Sequence, residues 1–372
     1  MTFALPDRSR FARHRQIAGW DQERLAAATV LVAGCGALGN EAAKNLALLG
    51  VGRLILVDFD RIEESNLVRS VLFRPGDVGR PKAAVAAERL ADLHPEGRFV
   101  PLAGDLWCDV GLGLVRAARL AVGCLDSVNA RFALNRLAMR AGTPWLDGGL
   151  GVAACQVARY DPRAGACYEC HMTPEMSRRF AERFSCAGLA RQGRGGGVPT
   201  TAVSAALAGA LLAGEAVAIL HGQDGGLRPG QRLTAQLAPY RLEVDDLPGN
   251  PDCCAHGVLG PVESAGAPHG VSARDLLGGE EGAVELGFEL VTALVCVRCG
   301  PEAVLVPRPR LRREDALCPG CGNERAVDWV SWIESEMSIA DRPLHELGVP
   351  AHHVVRVHGT RTRDVLLGGT LL

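Results

Sequence analysis

Gly34, Gly36 and Gly39 are followed at short range by Asp58 and Asp60, then Asn66 and Arg69, then Lys82. Three glycines so spaced let a backbone turn tightly, approach a phosphate closely and pack a helix onto the preceding strand. Asp58, at the end of the next apolar run, is placed to accept hydrogen bonds from a ribose. A nicotinamide or flavin oxidoreductase would show the same glycines and the same acid. The amide, guanidinium and ammonium that follow suit a different ligand: a triphosphate attacked at phosphorus builds charge on its leaving pyrophosphate, and that charge must be neutralised.

The elements that must position these groups can be read around them. Thr29 to Ala33 is a short β-branched run, and Leu38 to Leu49 carries apolar residues at helical spacing until Gly50 ends the pattern, which makes a parallel βαβ unit. Arg98 to Gly123 reads as strand, loop, helix, strand, and the buried run Arg119 to Asp126 ends on a carboxylate where open α/β sheets bind ligands. Asp126 either faces a ligand or caps the helix that starts near Ser127 or Asn129. Residues 11 to 28 are expected to form one N-terminal helix, with Arg13 and Arg15 on a solvated face. Ala202 to Leu220 is nearly long enough to span a bilayer, but its Ala/Gly content and the internal Glu215 favour a buried helix. The fold class expected is α/β, a doubly wound Rossmann-like and mainly parallel sheet, with a second small domain.

The chain has 372 residues and a net charge of -2, so its bulk charge points to no particular partner. No basic run interleaved with aromatics suggests a nucleic-acid surface, and no membrane association is expected; the reading is a cytoplasmic protein. The 13 cysteines include C-x-x-C pairs at 167/170, 296/299 and 318/321, which favour metal over disulfides. Cys296, Cys299, Cys318 and Cys321 form two knuckles, each followed by glycine, with the spacing of a zinc ribbon. Val258 to Gly282, rich in Gly, Pro and Ala, reads as a linker between a domain spanning 1–257 and a zinc-ribbon-containing domain spanning 283–372.

Taken in order, Arg13-His-Arg15-Gln16-Ile17, the glycine loop 34–39, Asp58-Phe-Asp60, Asn66-Leu-Val-Arg69, Gly79-Arg-Pro-Lys82, Cys124-Leu-Asp126-Ser-Val-Asn-Ala-Arg131 and Cys167-Tyr-Glu-Cys170 resemble the ThiF/MoeB/HesA family of ubiquitin-activating-type adenylyltransferases, from about Phe11 to about Gly257. That resemblance implies ATP-dependent adenylylation of the C-terminal glycine carboxylate of a small ubiquitin-like or sulfur-carrier protein ending in Gly-Gly. It also implies a homodimer in which Arg15 reaches the γ-phosphate of the neighbouring subunit, and Mg²⁺ held by Asp126. A first zinc site would use Cys167, Cys170, Cys253 and His256, with Cys254 the substitute if the register differs, so two Zn²⁺ are expected in all. Cys186 matches the cysteine of the family's crossover loop, which is a covalent carrier in some members and dispensable in others. The chain departs from the family pattern at Ser127, usually Asn, and Ser70, usually Gln. Two alternatives stand beside this reading: a ThiF-like enzyme activating a small molecule or a tRNA-linked carbonyl, and an NAD(P)-dependent Rossmann oxidoreductase.

Overall fold

The computed structural model describes residues 9–172, 199–223, 226–266 and 270–368. Cys186 and its flanking arginines fall outside the described residues, and the covalent role considered for that thiol is left to chemistry.

The N-terminal segment is broken into two pieces where a single helix was expected. A 3-10 turn spans His14–Gln16, Gly19 turns the chain with φ +76°, and α1 (Gln22–Ala27) starts only where Asp21 accepts the Arg24 N–H. A left-handed residue followed by a side-chain cap restarts a helix in a new direction.

β1 (Thr29–Ala33) leads into α2 (Ala37–Leu48), β2 (Arg53–Val57), α3 (Lys82–Leu93), β3 (Arg98–Leu102), α4 (Leu112–Ala117), β4 (Leu120–Gly123), α5 (Val128–Ala141) and β5 (Trp145–Leu150). These five strands are parallel in the order β3-β2-β1-β4-β5. β1 is buried along its whole length, as expected for a strand covered on both faces. The chain runs outward through β2 and β3, then returns to place β4 on the other side of β1. That reversal opens a crevice at the C-terminal ends of β1 and β4, the place where doubly wound sheets take ligands. β6 (Ala154–Tyr160), β7 (Gln231–Leu237) and β8 (Tyr240–Asp246) extend the sheet antiparallel beyond β5.

α6 (Ala202–His221) is long and apolar enough to cross a membrane by length and composition, but it lies against α2 and β5 with half of it buried. Its small residues have a steric cause: a Cβ on Gly209 would stand 2.4 Å from the Glu41 Cβ, so the helices meet nearly backbone to backbone. Leu212 and Leu220 are buried on the same side, each contributing roughly 2 kcal/mol of transfer free energy.

The segment expected as a linker contains ordered elements. β9 (Val262–Ser264) and α7 (Ala273–Leu277) precede β10 (Ala283–Cys296), β11 (Gly300–Pro307), β12 (Arg325–Glu334), β13 (Val354–His358) and β14 (Thr362–Leu366), and β9 pairs in parallel with β14. The strands form a six-stranded sheet in the order β11-β10-β13-β14-β9, with β12 also paired to β10. Leu259 and Val354 are buried in one cluster with Leu106, Val110, Leu112 and Phe132 of the nucleotide-type fold, so the two units share apolar core. The backbones also touch: Gly113 N–H donates to the His352 carbonyl at 2.8 Å, where a Cβ on Gly113 would stand 2.6 Å from that oxygen. Glycine and proline gave this stretch the composition of a spacer, while its few apolar residues are what the packing uses.

Candidate active site and metal centres

A cavity of about 1060 Å³ opens at the crevice between β1 and β4. Gly34, Gly36, Asp58, Asp60, Asn66, Arg69, Lys82 and Asp126 all line it, although they come from separate loops. The three glycines differ in what they do. Gly34 has φ +92°, and a Cβ there would stand 2.3 Å from the Cys124 carbonyl; a Cβ on Gly39 would fall 1.8 Å from the Gly34 carbonyl. Gly34 and Gly39 therefore permit the turn and the helix packing. Gly36, the N-cap of α2, has no atom of the described residues beyond its own chain neighbours within 4 Å of its would-be Cβ and leaves the backbone open to a ligand.

Asp58 is held by two backbone amides: Cys35 N–H donates to Oδ2 at 2.7 Å and Asp60 N–H to Oδ1 at 2.8 Å. Burial raises its carboxyl above the ordinary value, opposed by those two N–H donors and by Lys82. Lys82 Nζ reaches Asp60 Oδ2 at 2.8 Å, and its side chain is 11% exposed, so the ammonium is fixed at the cavity wall. Asn66 Oδ1 accepts the Glu63 N–H at 3.0 Å, and Arg69 Nη1 donates to the Ser65 carbonyl at 2.9 Å. Ser127 caps α5 by accepting the Ala130 N–H at 3.1 Å. Asp126 is therefore spared the capping role that its position at the strand end allowed, and it stands exposed at the cavity mouth.

Among the described residues, Gly39 and Arg15 are expected nucleotide-site residues that do not line this cavity: Gly39 is packed against the Gly34 carbonyl, and Arg15 is exposed in the 3-10 turn, with Nη1 donating to Ser9 Oγ at 2.7 Å. Three features were missed by sequence reasoning. Arg131 Nε donates to Asp147 Oδ1 at 2.8 Å and Nη2 to the Gly148 carbonyl at 3.1 Å, which fixes the glycine-rich end of β5 beside the cavity. Gly148, Gly149 and Gly151 line that wall, and Leu106 and Trp107 line another. Asn135, fully buried on α5, faces the first cysteine cluster. Arg131 stands within a recognised motif, so its spacing was visible; Asp147 carries no such signal.

Cys167, Cys170, Cys253 and His256 converge with all ligand atoms within 4.8 Å of one another, and so do Cys296, Cys299, Cys318 and Cys321. Cys254 is exposed and stands outside the first group. The Cys167 Sγ atom lies 3.7 Å from both Cys170 Sγ and Cys253 Sγ. Tetrahedral bonds of 2.3 Å to thiolate would place two sulfurs about 3.8 Å apart, so the donors fit a closed metal site. Asn135 Nδ2 lies 3.6 Å from Cys167 Sγ and 3.1 Å from Glu169 Oε1, and Glu169 pairs with Arg136. A shell of this kind orients the ligands themselves. In the second group β10 ends on Cys296, Gly300 turns with φ +89° into β11, and Cys296 Sγ lies 3.4 Å from Cys321 Sγ.

Comparisons with known proteins agree with this geometry. The chain is 31% identical over 265 residues to the SAMP-activating enzyme E1 of Haloferax volcanii, covering 68% of this chain and 91% of that one. It is 36% identical over 184 residues to the molybdopterin-synthase adenylyltransferase of Salmonella typhimurium, covering 48% and 72%. Against the pig (Sus scrofa) adenylyltransferase and sulfurtransferase MOCS3 it is 40% identical over 149 residues, 40% of this chain, and spans only 33% of that protein. Among solved structures, E. coli MccB with AMPCPP and MccA superposes with a TM-score of 0.55 at 25% identity, covering 68% of this chain and 75% of that one. The sequence description of the ThiF family matches residues 9–254, well over half of the protein, and the chain belongs to the ThiF family.

Proposed function

We propose that the protein is an adenylyltransferase that uses ATP to activate the C-terminal glycine carboxylate of a small ubiquitin-like or sulfur-carrier protein ending in Gly-Gly, releasing pyrophosphate. What supports this most is the convergence on one cavity of a glycine turn, a ribose-type aspartate and the set Asp60, Asn66, Arg69 and Lys82. The names of the relatives, which include a sulfur carrier protein adenylyltransferase from Thermus thermophilus and a SAMP-activating enzyme, point to the same class of substrate.

The carboxylate is already ionised at neutral pH, so no general base is needed. It attacks the α-phosphorus, the acyl–oxygen–phosphorus bond forms as the bond to pyrophosphate breaks, and the products are an acyl-adenylate and pyrophosphate. Gly36 offers backbone to the phosphates, Asp58 takes the ribose hydroxyls, and Arg69 and Lys82 balance the charge that gathers on the leaving group. Asp126 would hold Mg²⁺, which typically takes one or two carboxylates plus phosphate oxygens and water and neutralises phosphate charge when bound. Arg15 is assigned to the partner's site in a homodimer, in keeping with its place outside its own chain's cavity. Zn²⁺ is the ion proposed for both thiolate-rich groups, since a closed Cys₃His or Cys₄ tetrahedron is its usual structural site.

The test is carrier-dependent exchange of labelled pyrophosphate into ATP, with a Gly-Gly-ended carrier and its tail-truncated form. Asp126→Ala should abolish exchange in a chain that keeps its fold. Exchange at the native level in that variant would remove Asp126 from the reaction, and exchange that ignores the carrier tail would remove the substrate class.

A further inference from the structure

Asp109 uses its two carboxylate oxygens on two different parts of the molecule. Oδ2 accepts the backbone N–H of Asp105 at 2.8 Å and closes the turn 104–109, while Oδ1 pairs with the guanidinium of Arg310 from the C-terminal unit. That turn is a wall of the nucleotide cavity, lined by Gly104, Asp105, Leu106 and Trp107. Its interior is tightly tied. Asp109 N–H donates to the Asp105 carbonyl at 2.8 Å, Trp107 N–H donates to Asp105 Oδ1 at 2.8 Å, and a Cβ on Gly104 would stand 2.5 Å from the Asp109 Cβ. A turn this closed moves as one body, so what holds Asp109 holds Leu106 and Trp107. Behind it, Leu106, Val110 and Leu112 share a core with Val354, and Leu366 packs against them. The wall is thus braced from the C-terminal unit at an apolar contact and at one ion pair.

We propose that Arg310 is a positioning residue for the nucleotide cavity: by holding Asp109 it fixes the turn that carries Leu106 and Trp107, and so sets nucleotide affinity from outside the adenylation fold. The proposal rests on the reading of this cavity as the ATP site. Arg310 is not among the cavity-lining residues, and it lies beyond the segment 9–254 that the family description matches. Its side chain is 48% exposed and that of Asp109 29%, so the pair is half solvated and adds little to global stability. Its effect is local, on where the turn stands, which separates it from a merely structural role.

The experiment uses the full chain with Arg310→Ala, Arg310→Glu and Arg310→Lys. Hydrogen exchange reads the turn amides of Asp105, Trp107 and Asp109, and calorimetry reads ATP binding. Arg310→Glu sets two carboxylates against each other and should speed exchange in the turn and weaken ATP about fivefold, the order expected of one half-exposed pair. Arg310→Lys should return both to near the native values. In pyrophosphate exchange the KM for ATP should rise while kcat and the KM for the carrier stay put, with the thermal midpoint unchanged. Native ATP affinity in Arg310→Glu, when the unsubstituted chain binds ATP, would overturn the proposal alone. No ATP binding by the unsubstituted chain would overturn the nucleotide reading, and the proposal with it.

Discussion

Arg131 and Asp147 meet at 2.8 Å beneath the cavity with side chains only 14% and 3% exposed, and the same guanidinium also holds the Gly148 carbonyl. Burial pushes the Asp147 carboxyl above its ordinary value while Arg131 pulls it back, so the ionised pair depends on the contact. Arg131→Ala would strand a carboxylate with little access to water and should cost about 3–5 kcal/mol, read from the urea midpoint. Replacing both partners by apolar residues, Arg131→Met with Asp147→Leu, should recover much of that stability, because no buried charge is then left alone. Pyrophosphate exchange should stay low in the double variant, since the guanidinium no longer holds the Gly148 carbonyl at the cavity wall. A loss below about 1 kcal/mol in Arg131→Ala would mean that the pair behaves as a solvated one.

The contrast between Gly39 and Asp147 explains what sequence could and could not reveal. Gly39 is demanded by a contact within one turn and helix, with its would-be Cβ against the Gly34 carbonyl, so spacing alone exposes it. Asp147 gains its role from a helix residue 16 positions away, and Asp109 from a residue 201 positions away, separations that no motif records. Composition misled at 258–282 for a related reason: Leu259 and Val262 pack into the shared core, yet the glycines and prolines around them resemble a spacer. The N-terminal segment was expected as one helix, but the chain leaves the helical path at Ile17, which is extended, and turns at the left-handed Gly19. The first cysteine cluster was legible in its ligands but not in Asn135, whose amide is brought there by α5 packing.

The register at that cluster is open to direct test. His256 Nε2 stands 3.1 Å from Cys170 Sγ, and Cys254 lies outside the group. The full chain should carry two zinc ions, one for each ligand group, and His256→Ala should halve the content by elemental analysis. Cys254→Ala should leave it unchanged. Because the site ties Cys167 to Cys253 across 86 positions, its loss should also lower the unfolding midpoint of the nucleotide-binding unit. Zinc lost in Cys254→Ala but retained in His256→Ala would shift the ligand assignment by two positions.

Arg15 and Lys82 lend themselves to complementation. Lys82 is fixed at the wall of its own chain's cavity and Arg15 is not among that cavity's lining residues. Arg15→Ala and Lys82→Ala should each be inactive alone, and a mixture whose subunits exchange should regain activity. In a two-fold dimer half the mixed dimers are hybrids with one intact site of two, so about a quarter of native activity should return. Exchange of subunits without any recovery would assign Arg15 to its own subunit's site or leave it a mere surface charge.

His353 makes the junction between the two units sensitive to acid. It is buried, its Nε2 lies 2.9 Å from the Leu286 carbonyl, and its Nδ1 accepts the Leu112 N–H at 3.4 Å, an arrangement that needs the neutral ring with the proton on Nε2. Burial, aided by Arg140 and opposed by the Leu286 carbonyl, brings the imidazole down to about 4. An unfolded histidine titrates near 6.5, so between roughly pH 4 and 6.5 the unfolded chain binds the extra proton and stability rises with pH. The contribution is fully present above the unfolded value and is lost as pH falls toward the folded one, the loss reaching about 2 kcal/mol by pH 5. Urea midpoints measured from pH 7 to pH 5 should therefore drop less steeply for His353→Gln, whose amide keeps a donor and an acceptor but cannot titrate there. The metal groups are common to both chains and cancel in the difference. Parallel pH curves for the two would show that the ring is not held neutral at the junction.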